Sequence, residues 1–193
     1  MRQSCEDVYQ PDGIQPSLTR LIGIEVENYM RLILILSVIM MTALFLMLYA
    51  GVGLIQDKKY FTSAPQELQD LIPEHTPERF RGAHMTGWIL MIISVVLLAG
   101  CKLYAGWDGI RNEFTFHRFF LRYLVMMLLL KAFDILFFDL FLLCNSNFYG
   151  HFYPQVQGHT DMHLFGFNAK SHIIHLIACV PISMALAGIC TIL

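Results

Sequence analysis

The chain has 193 residues, of which 56% are hydrophobic, 15% charged and 13% aromatic, and its formal net charge is -2. This balance is more apolar and less charged than that of an ordinary soluble domain, and it points to a membrane protein in contact with the lipid bilayer. Charges of both signs with no basic field exclude nucleic acid as a partner and leave no polybasic stripe for anionic lipid.

Taken in chain order, residues 1–31 form an N-terminal segment whose first part is irregular at Pro11, Gly13 and Pro16. From Ser17 onward, Leu18, Leu21, Ile22, Val26 and Tyr29 approximate an apolar stripe, the pattern of an interfacial helix that runs into the membrane. Residues 32–193 then contain four runs that reach the roughly 20 residues needed to cross a bilayer. They are 32–55, 85–105, 119–143 and 172–193. Backbone groups must be satisfied inside lipid, so each run is expected as a helix and the domain as an all-α integral membrane bundle of four transmembrane helices. The first run follows a long mixed-charge segment and exceeds a signal-peptide core, so it reads as a span.

The spans are joined by a loop over 56–84, a short turn over 106–118 and a loop over 144–171. Arg2, Arg20, Arg31, Lys102, Arg111, Arg118 and Arg122 fall on one side, against Lys58, Lys59, Arg79, Arg81 and Lys170 on the other. The excess places both termini in the cytoplasm of a multi-pass cell-membrane protein. His75, His84, His151, His159, His163, His172 and His175 then share the outer side, and only His117 lies inside.

The third run carries Lys131, Asp134 and Asp139 in otherwise apolar sequence. A charge near the bilayer centre costs roughly 2.5–3.5 kcal/mol on insertion scales, so it normally faces a bundle interior, a partner or water. Lys131 and Asp134 are three apart and share a helix face. On an ideal α-helix Asp139 is rotated by about 140° from Asp134, so the two carboxylates are not expected to converge. The pair reads either as the lining of a solute or proton path, with Asp139 near its mouth, or as an ion pair that pins helix packing. Arg122, one turn inside the opposite interface, is expected to reach lipid phosphate.

The loop over 144–171 and the start of the fourth run contribute candidate metal ligands. His159, Asp161 and His163 alternate and point one way in extended chain, while His172 and His175 share a helix face. Imidazole and carboxylate suit a divalent transition metal, although no zincin spacing such as H-E-x-x-H is present. Histidines that merely satisfy loop backbone are the alternative. A haem held by His84 with His172 or His175 is disfavoured, because all three sit at span ends and no second pair exists. Phe148, Tyr149, Phe152, Tyr153, Phe165 and Phe167 fit an interfacial aromatic belt. The five cysteines, with no C-x-x-C spacing, read as packing residues.

The runs W-D-G-I at 107–110, F-T-F-H-R-F-F-L-R at 114–122, K-A-F-D-I-L-F-F-D at 131–139 and N-F-Y-G-H-F-Y-P-Q at 147–155 resemble a family of small bacterial multi-spanning membrane proteins of unassigned activity. The resemblance covers about the C-terminal half. It implies the spans and a bacterial cytoplasmic membrane, and it transfers no catalytic role.

The expected function is handling of an ion or small solute at a buried Lys131, Asp134 and Asp139 site beneath an outward histidine-rich loop. Two alternatives stand beside it. One is an accessory protein whose polar span binds a partner membrane protein or a second copy of this chain; the other is a membrane-embedded metalloenzyme.

Overall fold

A computed structural model describes residues 15–60, 66–73, 78–158 and 166–193. Among these the chain is mostly helical and contains no strand. Helix α1 covers Gln15–Tyr49 and winds on as a π-helix over Ala50–Ile55. A single α2 turn at Gln66–Gln69 precedes α3 at Ala83–Arg111. Helix α4, Phe116–Phe133, continues as a π-helix over Asp134–Asn145. Short α5, Phe148–Phe152, and a 3-10 turn at Pro154–Val156 lead toward α6 at Ala169–Ile192.

Among the described residues three helices are long and apolar enough to cross a membrane: Glu25–Ile55, Ala83–Arg111 and Ala169–Ile192. The chain is thus an integral membrane protein with three such helices, one fewer than the four expected. The run at 119–143 falls short on composition. Arg118, Arg122 and Lys131 lie within the 18 residues of α4, and Asp134 and Asp139 follow in its π-wound extension.

Lipid-facing surface agrees with this assignment. Ile92, Val95, Val96 and Leu103 on α3 and Ile173, Ile177, Met184 and Ile189 on α6 are all exposed, a surface that water would not tolerate in a monomer. Trp88 and Trp107, also exposed, stand nineteen residues apart on α3. At 1.5 Å per residue that is about 28 Å, close to the roughly 30 Å hydrocarbon core that interfacial tryptophans bracket. Lys59 Nζ lies 5.7 Å from the Trp88 ring and the Arg111 guanidinium 5.5 Å from the Trp107 ring. Each tryptophan therefore stands beside a cation, as at a headgroup level.

The helices differ from expectation at their ends. Helix α1 passes through Arg31 without a break. Helix α3 runs six residues beyond 105, which leaves a turn of only Asn112–Thr115 before α4. Glu113 takes a left-handed φ of 52° there.

Two apolar clusters hold the bundle. At the turn end Ile33, Met40, Cys101, Phe119, Tyr123 and Met126 pack together. At the loop end Val52, Ile72, Phe138, Leu143, Tyr149 and Tyr153 do so, which seats α5 and the adjoining turn on the bundle as a cap. Burial pushes the Tyr153 hydroxyl well above the ordinary tyrosine range. Gln56 Nε2 donates to the Phe152 carbonyl at 3.2 Å and ties the cap to the end of α1.

Glycine permits close approach of α3 and α4, most tightly where a Cβ on Gly109 would fall onto the buried Phe119 ring. Gly109→Ala should therefore lower stability by about 1–3 kcal/mol, the usual cost of overpacking. Gly100→Ala, which opens onto free space, should be neutral or slightly stabilising. Melting of both variants in mild detergent checks this, and equal midpoints would show that the contact does not hold.

Candidate functional site

Between the two apolar clusters lies a layer of four ionisable side chains. Lys131, at the end of α4, donates from Nζ to Asp134 Oδ2 at 2.5 Å. His172, in the first turn of α6, contacts Asp139 Oδ2 through Nε2. The same ring turns Nδ1 toward Asp134 Oδ2 at 3.9 Å. One imidazole thus stands between two carboxylates, and a lysine closes the far end of the row.

The winding of the helix brings this about. In α geometry residues five apart diverge by about 140°, but a π-helix bonds residue i to i+5 and stacks them. The change from α to π begins at Asp134, and so Asp134 and Asp139 reach the same side, Asp139 in direct contact with His172 and Asp134 within 3.9 Å of its ring. The expectation that the two carboxylates stay apart is overturned here.

Burial makes the pairing necessary. Asp139 is 6% exposed, and the side chains of Lys131 and His172 are each 14% exposed. An unpaired charge in such surroundings is strongly disfavoured. With Asp139 ionised, the His172 Nε2–H donates to it. Both carboxylates also sit near the N-terminus of α6, where the helix macrodipole favours negative charge. On the other side of Lys131 and Asp134 is a hollow of about 230 Å³, lined also by Leu44, Lys102, Met127 and Cys179.

The other candidates among the described residues lie apart from this layer. His175 is exposed on α6, one turn beyond His172, and joins no cluster. His159, Asp161 and His163 lie outside the described residues. His84 faces Glu78 at 3.6 Å, and His151 Nε2 lies 2.9 Å from Arg79. Neither is shared with His172. Among the described residues no group of three or more His, Cys, Asp or Glu side chains is placed to hold a metal ion. The direct contact of His172 with Asp139 leaves no space between them for an ion at ordinary ligand distances of about 2.0–2.2 Å.

A second ionic centre went unread in the sequence. Arg122 does not snorkel outward along the helix to the membrane surface but turns inward. It is 1% exposed, donates to Asp108 Oδ2 at 2.7 Å and to the Ala105 carbonyl at 2.8 Å, and lies 4.4 Å from the Phe114 ring centre. The extra helical turn at the end of α3 lifts Asp108 out of the expected turn and sets it opposite Arg122. Opposite charges fourteen residues apart across a short helical hairpin were the available signal.

No family model, curated protein or solved structure matches this chain.

Removal of one partner should expose the value of the His172 and Asp139 pair. His172→Ala leaves Asp139 buried alone and should cost about 3–5 kcal/mol, whereas His172→Ala with Asp139→Leu removes the stranded charge and should recover much of the loss. Denaturation of both variants in detergent decides it. A double variant no more stable than His172→Ala would mean that the two side chains are not coupled.

Proposed function

We propose that this chain moves a proton, or a small cation that exchanges with one, through the row Lys131, Asp134, His172 and Asp139. The observation that carries the reading is His172 standing between two carboxylates on a buried helix face. Ionisable groups inside a membrane are expensive and recur in proton relays built from Asp, Glu and His. An imidazole can accept a proton at one nitrogen and release it from the other. The hollow beside Lys131 and Asp134 offers that end of the row room for water or a small solute.

The reading includes a fourth crossing by α4 and its π-wound extension, which run without interruption from Phe116 to Asn145. Arg122 is level with Asp108 through their ion pair, next to the interfacial Trp107. Lys131, nine residues further on, is then about 13 Å deeper at α-helical rise, near the middle of a core roughly 30 Å thick. Termini on the cytoplasmic side of a cell membrane complete the proposed topology.

The other two readings receive less support. Lys131 and Asp134 satisfy each other within the chain, so neither is left over to pair with a partner helix. A metalloenzyme would draw its ligands from His159, Asp161 and His163, with His172 already engaged by Asp139.

Proteoliposomes containing a trapped pH dye and an imposed potassium diffusion potential test the proposal. The wild-type chain should pass protons well above protein-free vesicles. Asp139→Asn and His172→Ala should each slow the flux at least tenfold at equal insertion. Wild-type flux equal to that of empty vesicles would overturn the proposal.

A further inference from the structure

A larger hollow, of about 560 Å³, opens at the opposite end of the bundle between the start of α1 and the α3–α4 hairpin. Its polar floor is formed by Glu25, Tyr29, Asp108, Arg118 and Arg122. Arg118 donates to Glu25 Oε1 at 2.8 Å, and Tyr29 donates to the Arg118 carbonyl at 3.0 Å. Arg122 is spent on Asp108 and Ala105 through a single nitrogen. Its Nε–H is buried and has no hydrogen-bond acceptor among the described residues, an omission that costs free energy.

Three features constrain what fits. Two guanidinium groups and two carboxylates make the floor neutral, so an anion alone would face Glu25 and Asp108 as well as the arginines. The walls include Val26, Met30 and Leu121, which are apolar and 56%, 43% and 52% exposed, and they lead outward to the lipid-facing surface. The level is that of Trp107, which neighbours Asp108 and marks the interface.

We propose that this hollow binds a zwitterionic phospholipid headgroup, its phosphate taken by Arg122 and Arg118, its ammonium by Glu25, and its acyl chains by the wall of Val26, Met30 and Leu121. Planar guanidinium groups suit phosphate oxygens, and the neutral floor matches a headgroup that bears both signs. The site is independent of the polar row around His172.

The test is native mass spectrometry of the full chain in detergent, titrated with dioleoyl phosphatidylethanolamine. One lipid per chain should be retained. Leu121→Trp, which fills the hollow from an exposed position, and Arg118→Gln should each weaken retention about tenfold while the melting midpoint stays at the wild-type value. Asp139→Asn should leave retention unchanged. Displacement of the lipid by free phosphoethanolamine at equal concentration would assign the same chemistry to a soluble ligand, and no displacement would assign it to the lipid. Equal retention of dioleoylglycerol, tighter retention of the anionic phosphatidylglycerol, or lipid binding unchanged in Leu121→Trp would overturn the proposal.

Discussion

The contact between His172 on α6 and Asp139 on the π-wound end of α4 is the constraint on which the rest of the polar layer depends. Asp139 is buried and ionisable, and a lone carboxylate cannot be accommodated there without a partner. The partner comes from another helix, so α4 and α6 are fixed in rotation and height relative to each other. Asp134 then falls beside the same ring, and Lys131 falls beside Asp134.

This requirement also gives a physical reason for the π-helix. An α-helical continuation would send Asp134 and Asp139 to different faces and leave one of them against lipid or apolar side chains. Winding with one more residue per bonded ring stacks them. The wider turn weakens packing along its own backbone, and the aromatic run Phe133, Phe137 and Phe141 offsets that along one flank. Phe133 and Phe137 stack with ring centres 4.9 Å apart, and Phe137 and Phe141 at 5.5 Å. At the other end Arg122 and Asp108 close the α3–α4 hairpin in the same way, as a buried charge pair supplied from two helices.

Much of the architecture was legible in the sequence. Apolar length found the helices that carry the runs 32–55, 85–105 and 172–193, because a span must be long and nearly free of charge, and those runs hold only Lys102. The pairing of Lys131 with Asp134 followed from a spacing of three on one helix. The convergence of Asp139 was not legible, since α periodicity was assumed and nothing local in D-I-L-F-F-D announces a π-helix. The partner role of His172 was hidden for a related reason. Its neighbours His159, Asp161, His163 and His175 suggested a metal site by residue type, whereas its contact lies 33 residues away on another helix. Arg122 was misread because snorkelling is the usual fate of an arginine near a span end, and Asp108 was thought to lie in a loop.

The central claim is that His172 bridges α6 to the carboxylates of α4, and solid-state nuclear magnetic resonance of the chain in lipid bilayers tests it most directly. With ¹⁵N in histidine and ¹³C in aspartate, the account predicts a dipolar contact between His172 Nε2 and the Asp139 carboxyl carbon that disappears in Asp139→Ala. A His172 ring that exchanges freely with water and shows no such contact would contradict it.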